Sequence, residues 1–430
     1  MPHPAPQNPS IVLRGRLLTD PARTPEPGWV RILGDRIDRI GFGDPPPAST
    51  NDLALGSADA VICPGFVDAH IHLPQIDSAG CDGMELLPWL QSVVFPAEGW
   101  WGRGQALSMA RTAVRRMLTH GTMGFAGYLT SHGEINTRVL DFLQTRSPLR
   151  CIVGRAAMDR AAPDDLLAED RARASMQPMP SPVLPMPNGD LAPGRHRASA
   201  NPRFAISCTD ELLAEIGWFV RDHPGTWVQT HLSESIPEVR RIAELFPADP
   251  NYTSVYDRFG LLTDRSLMAH SIHLSEAEWA LMAARNAIAV HCPTANIFLR
   301  AGLFPRDTAI DAGVRIALGS DVAGGPDVAM PRVARAMIET AKVRALATGA
   351  AVRIPTPAEA WTLITRGNAD ILGWTDTGRL EAGAEADLLI LRPPTAWLDD
   401  HCAGRLLYNW SEALIDTRIV AGRIADPTTI

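Results

Sequence analysis

Through the middle of the chain, apolar runs rich in Val, Ile and Ala alternate with segments whose apolar positions recur at helical spacing. Eight runs read as strands: 60–73, 122–130, 150–158, 198–206, 226–234, 266–274, 287–296 and 315–323. Near-continuous apolar character suits parallel strands covered on both faces. Amphipathic segments lie between them, over 104–120, 134–145, 209–222, 235–246, 275–285 and 330–348. Strand–helix alternation carried through eight repeats predicts an α/β fold, a closed (β/α)8 TIM-type barrel. An open doubly wound sheet is the runner-up, but the Gly-rich phosphate fingerprint it would carry is missing.

The two ends follow a different rhythm. Residues 10–59 and 378–430 hold short β-like runs separated by turn residues: IVLRGRLL, WVRILGDRIDRIG, ADLLILRP and TRIVAGRIAD. They predict a small β-sandwich-like domain built from both termini (1–59 and 377–430) beside a barrel over 60–376. One stretch breaks the barrel's alternation. Residues 175–201 are dense in Pro, Met and Gly, and proline at that density cannot continue a helix. The third crossover helix is therefore confined to about 163–175, with a long loop after it. A surface insertion is the plainer reading of that loop and a lid over the site the functional one.

Composition changes this picture only at its edges. Hydrophobic residues make up 46% and charged residues 20% of the chain, the profile of a soluble globular enzyme. The formal net charge of −8 argues against nucleic acid as a partner, since phosphate binding needs basic patches. No apolar stretch approaches the roughly 20 residues of a membrane-spanning helix. The N-terminal MPHPAPQNPS lacks the basic head and apolar stretch of a secretory signal. Six cysteines without a CxxC pair read as reduced, packed thiols and predict a cytoplasmic protein.

Candidate chemistry collects where the predicted strands end. His70 and His72, in PGFVDAHIHLPQ (64–75), are two apart on a strand, and period-2 alternation sends both imidazoles to one side, where they can serve one metal ion. An HxH pair alone is weak, because two histidines in a polar loop look the same. Four further clusters strengthen it: QTHLSE with His231 and Glu234, MAHSIH with His270, VHCPTAN with His291 and Asn296, and LGSDVAGG with Asp321. In a barrel these C-terminal strand ends form one face, the face that holds active sites. Three histidines and an aspartate leave a coordination position open for water, the arrangement of a catalytic metal.

HxH, two later histidines and a final SD resemble the ligand pattern of the metal-dependent amidohydrolases. Within that superfamily the chain is similar, over nearly its whole length, to the guanine deaminases. The resemblance is carried by PGFVDAHIHLPQ, LLPWLQSVVFPAE, NPRFAISC, HLSES, NYTSVYD, MAHSIHLS, HCPTANIFLRAG and LGSDVAGG. It implies one Zn2+ per chain, on His70, His72, His231 and Asp321. It implies Glu234 as proton shuttle, His270 as the group orienting the attacking water, and Asp321 as acceptor of that water's proton. Gln75, Arg203 and Phe204 would hold a purine. A guanidinium has donors and no acceptor, so Arg203 suits the O6 carbonyl of guanine better than an amino group. The implied activity is zinc-dependent hydrolytic deamination of guanine to xanthine and ammonia. The implied protein is a homodimer whose partner is a small purine, with neither nucleic acid nor membrane.

The chain has a single lysine, Lys342. Binuclear relatives bridge two metals with a strand-four lysine; Lys342 follows strand eight, which favours the one-metal version. Several positions depart from the deaminase pattern: Val93 before FPAE, Ser235 in HLSES, Ala295 in HCPTAN, and Arg300 in the stretch that follows. They keep a related heterocycle, such as 8-oxoguanine or a triazine, as the alternative substrate. A barrel that has lost catalysis is the alternative class, and the full set of acid and ligand residues argues against it. His132–Gly133–Glu134 matches an HxE motif, but the PCxxC that must accompany it is absent. His273, Trp100, Trp101, Cys208 and Cys292 read as packing or ordinary polar residues.

Overall fold

The computed structural model of the protein describes residues 10–45, 52–174, 195–349 and 351–430. Four strands come first: β1 (Ile11–Leu17), β2 (Glu26–Leu33), β3 (Arg36–Phe42) and β4 (Leu53–Pro64). Eight more follow through the middle: β5 (Phe66–His72), β6 (Thr122–Leu129), β7 (Arg150–Ala157), β8 (His196–Pro202), β9 (Trp227–Leu232), β10 (Ser266–His270), β11 (Ile288–His291) and β12 (Arg315–Leu318). Three lie near the C-terminus: β13 (Leu388–Leu391), β14 (Ile415–Val420) and β15 (Arg423–Ile424).

Strands β5 to β12 line up in sequence order with parallel pairing throughout. This is the expected (β/α)8 barrel. Every residue of β5, β6 and β7 is buried, which is why these runs carry almost no polar alternation. Val67, Ala126, Ile152, Leu267, Ile288 and Ala317 meet in one apolar cluster across the strands, together with Trp374.

The seam between β12 and β5 is held by side chains and by the turns above it. The Asn368 amide donates to the carbonyls of Val67 (2.7 Å) and Leu318 (2.8 Å) and accepts from the Leu318 N–H (2.9 Å). Asp68 accepts from both the backbone N–H and the hydroxyl of Ser320. Higher up, Asp321 N–H donates to His70 O at 2.7 Å and His72 N–H to Val322 O at 3.0 Å. Closure therefore draws the residues around Asp321 onto the HxH strand.

Several strands end earlier than the apolar pattern predicts. Those expected over 226–234, 266–274 and 315–323 stop at Leu232, His270 and Leu318. Ser233, His270, Ser271 and Asp321 have φ between 48° and 69°, a left-handed conformation that does not continue a strand. The run predicted over 287–296 is β11 followed by a short helix, Pro293–Phe298, with proline in its first turn. The run 60–73 divides into β4 and β5 at Gly65, where a Cβ would lie 2.2 Å from the Met123 sulfur. The helices Ala106–Thr119, Gly133–Thr145, Asp210–Asp222, Ile236–Leu245, Glu276–Ala284 and Met330–Thr348 match their expected spans closely. The third crossover helix is Asp164–Ala174. Of the Pro-rich stretch, 175–194 lies outside the described residues, and its end is not loop but the start of β8.

The terminal runs share a second sheet in the order β15-β14-β13-β4-β1-β2-β3. Its core includes Leu13, Val30, Ile62, Leu388 and Ile419. Arg150, at the start of β7, pairs with Glu385, and Arg195 pairs with Glu385 and Asp387. These buried ion pairs tie the end of the barrel where its strands begin to the terminal sheet. No helix among the described residues is long and apolar enough to cross a membrane.

Candidate active site

At the opposite end, where the strands finish, six predicted residues converge. His70 Nε2 lies 3.2 Å and His72 Nε2 3.4 Å from Asp321 Oδ1. His72 Nε2 also lies 3.2 Å from His231 Nε2. His270 Nε2 is 3.7 Å from Asp321 Oδ2 and 3.4 Å from Glu234 Oε2. One ligand atom from each of His70, His231, His270 and Asp321 falls within 4.8 Å of the others. The two rings of the HxH pair stand nearly perpendicular, 5.0 Å apart. A register shift between Asp68 and Ile71 in the β5–β6 pairing sits directly beside them, a common way to re-aim side chains at an active site.

The backbone aims the other groups. His231 Nδ1 donates to the Arg203 carbonyl at 2.6 Å, which leaves its Nε2 lone pair facing the cluster. His270 Nδ1 donates to Asn296 Oδ1 at 2.9 Å, leaving its Nε2 toward Glu234. Left-handed backbone at His270 and Asp321 turns both side chains inward at the strand ends, a local strain of the sort concentrated at working sites.

Electrostatics suit a cation. Burial, reinforced by the neighbouring His70, His72 and His270, holds His231 well below the usual imidazole value. Burial brings His72 down to about 4, although Asp321 opposes it. Both rings are neutral, the form that binds metal. For Asp321 burial acts upward, but the imidazoles of His70, His72 and His270 beside it bring the carboxyl well below its ordinary value. Both ring nitrogens of His70 are buried without a hydrogen-bond partner. Such groups are costly unless something absent from a bare polypeptide satisfies them. A metal ion meets that need, so the residues fit one.

Glu234 is 2% exposed, and its Oε1 has no hydrogen-bond partner. Burial first, then the charges of Glu238 and Asp321, raise its pKa well above the usual carboxylate range. A carboxyl whose hold on its proton is strengthened by burial can donate that proton and take one back.

A narrow cavity opens beside this cluster. Gln75, Arg203 and Phe204 line it with His72, His231, Glu234, His270 and Asp321. Leu86, Trp89, Leu90 and Leu299 supply apolar wall. Val93, Ser235, Ala295 and Arg300, the departures from the deaminase pattern, are not among the lining residues. Ala295 packs in the apolar cluster of the barrel interior and Ser235 caps a helix, while Arg300 is exposed.

Sequence reasoning missed Glu98. Its carboxylate, 2% exposed, pairs with Arg203 at 2.6 Å and accepts from Gln75 Nε2 at 3.2 Å. The string FPAE was the available signal, but nothing in it tells which partner its glutamate meets. The partner of Arg203 is thus a buried carboxylate and not a surface one. His291 stays outside the cluster, stacked on Phe304 with ring centroids 4.6 Å apart. Asn296, from the same segment, acts through His270. His273 donates to Ala301 O, and Trp101 is fully buried, donating to Asn136. Trp100 is 57% exposed and does not pack as expected. Burial drives the thiols of Cys208 and Cys292 far above their ordinary value, so both stay protonated.

Comparison with known proteins identifies the family and fold. Residues 61–424 match the Amidohydrolase family. The chain is 30% identical to the guanine deaminase of Escherichia coli over 86% of its own length and 80% of that protein. It superposes with a TM-score of 0.83 on a guanine deaminase from C. acetobutylicum with bound guanine, at 23% identity, covering 97% of this chain and 100% of that one. An adenosine deaminase from Xanthomonas campestris with bound zinc gives a TM-score of 0.78 at 22% identity, covering 98% of this chain and 93% of that one.

Proposed function

Because this chain belongs to the amidohydrolase family and sits among its guanine deaminases, we propose that it hydrolyses guanine to xanthine and ammonia. The observation that carries the reading is the pairing of an unsatisfied His/Asp cluster with a protonatable, buried Glu234 on the wall of one cavity.

His70, His72, His231 and Asp321 would hold one Zn2+ per chain. When bound, the ion supplies a nucleophilic water at neutral pH and polarises the bond under attack. The remaining work belongs to side chains. His270, fixed by Asn296, orients the water, and Asp321 accepts its proton. Glu234 protonates the ring nitrogen beside C2 as the carbon–oxygen bond forms there. Glu234 then takes up the hydroxyl proton of the adduct and passes it to the amino group; the C2–N bond breaks, ammonia leaves, and the proton held by Asp321 restores Glu234. One water is consumed and one ammonia released. Arg203 donates to O6, Gln75 meets a second edge of the purine, and Phe204 lies against the ring face.

The proposal extends to a cytoplasmic homodimer, which light scattering coupled to size-exclusion chromatography tests for assembly. The decisive experiment is a guanine assay with ammonia detection on metal-analysed protein. We expect xanthine and ammonia in equal amounts and close to one zinc per chain. Chelation should abolish turnover and zinc should restore it. Protein carrying zinc that releases no ammonia from guanine overturns the substrate, and two tightly held metal ions per chain overturn the one-metal site.

A further inference from the structure

Gln75, Glu98 and Arg203 form a buried network behind the cavity wall. Both oxygens of Glu98 accept from Arg203 Nη1, at 2.7 and 2.6 Å. Glu98 Oε1 also accepts from Gln75 Nε2 at 3.2 Å. On its other side, Gln75 Oε1 accepts from the Ala323 N–H at 3.4 Å. The Arg203 guanidinium lies over Phe95, 5.4 Å from the ring centroid. Gln75 and Arg203 line the cavity, whereas Glu98 does not.

Counting donors and acceptors shows what this arrangement leaves for a ligand. An amide has two N–H donors and an oxygen with two lone pairs. For Gln75, one N–H goes to Glu98 and one lone pair to Ala323. The cavity therefore meets one donor and one acceptor in a set order. Arg203 keeps the N–H groups on Nε and Nη2. A carboxylate only accepts, so Glu98 forbids the Gln75 amide from turning over. Its charge also cancels that of the guanidinium, so the wall offers donors without a net positive charge.

We propose that Glu98 is a positioning residue that sets substrate specificity. It locks Gln75 and Arg203 into one donor–acceptor order that selects a neutral heterocycle presenting a carbonyl to Arg203. The inference rests on the guanine reading for its substrate and adds the residue that enforces the choice.

Glu98→Gln tests it, because an amide of the same shape must face one of its two partners with a donor. The assay compares kcat/KM for guanine with that for 2-aminopurine, which keeps the amino group to be removed but lacks the carbonyl. Calorimetry compares binding of hypoxanthine, which keeps the carbonyl, with that of purine, which lacks it. We expect guanine turnover and hypoxanthine affinity to fall about 10- to 100-fold, the scale of charge-assisted hydrogen bonds. The carbonyl-free compounds should change by less than about 3-fold, since they forgo those bonds. Equal losses for both members of each pair, or no loss, overturn the proposal, since a merely structural role does not distinguish them. If Glu98→Gln does not fold, Glu98→Asp keeps the charge at shorter reach; it must then show a partial loss of the same preference. Wild-type protein inactive on guanine sinks the functional reading instead, so the two failures are distinguishable.

Discussion

His231 is aimed from behind by the Arg203 carbonyl, and the same residue, Arg203, faces the cavity with its side chain. One residue just past β8 thus orients a candidate ligand with its carbonyl and offers a candidate substrate contact with its side chain. Glu234 works differently, since its protonation and not its direction is what burial controls. Glu234→Gln keeps the shape and removes the exchangeable proton. It should retain zinc near the wild-type content and lose about 10²- to 10⁴-fold in kcat, the usual worth of general acid–base catalysis. Turnover close to normal in that variant would pass the shuttle role to another group, with His270 next. The residues read from the sequence were those whose neighbours in the chain repeat a known string. Glu98 escaped because its partner Arg203 lies 105 residues away.

At the scale of elements, the end of β9 is held by the two short helices that follow it. Ser235 caps the helix Ile236–Leu245, and Glu238 closes the capping box. Glu238 also accepts from the Glu234 N–H at 2.7 Å and from the Tyr252 hydroxyl at 2.9 Å. Asn251 caps the helix Tyr252–Arg258. Tyr256, one turn on, donates to the His231 carbonyl at 2.9 Å, and the Tyr252 hydroxyl lies 3.3 Å from the same carbonyl. The NYTSVYD string therefore buttresses the strand that carries His231 and Glu234. Glu238→Ala removes a cap partner and strands buried donors, and should destabilise the protein by about 2–4 kcal/mol. Urea denaturation measures this, and a loss under about 0.5 kcal/mol, the ordinary surface value, would show that the buttress is not needed. The helices were legible because amphipathic spacing is local. Strand ends were not, because the turn into the left-handed region at Ser233, His270, Ser271 and Asp321 leaves no mark in the period of the sequence.

For the whole molecule, the barrel and the terminal sheet share a buried ionic joint remote from the site. Arg150 is 4% exposed and pairs with Glu385. Arg150→Ala leaves Glu385 to Arg195 alone and removes one buried charge-assisted contact, so it should lower stability by about 1–3 kcal/mol. Activity per folded molecule should stay within a few-fold, because Arg150 begins β7 and the site lies where the strands finish. Thermal melting with kcat/KM on the folded fraction checks both, and a large loss of kcat/KM in folded protein would mean that the joint shapes the site.

Periodicity alone was enough to specify an eight-fold β/α alternation, and polar strings at strand ends named His70, His72, His231, Glu234, His270 and Asp321. Both are properties of residues close together in the chain, which a sequence records directly. Tertiary structure alone decided how the barrel closes and what faces what. Asn368 bridges Val67 and Leu318, 301 and 50 residues away, Glu98 meets Gln75 and Arg203, and Asn296 turns His270. In each case a buried polar group finds its partner only after the strands have packed, because hydrogen bonding between distant residues leaves no period or spacing in the sequence.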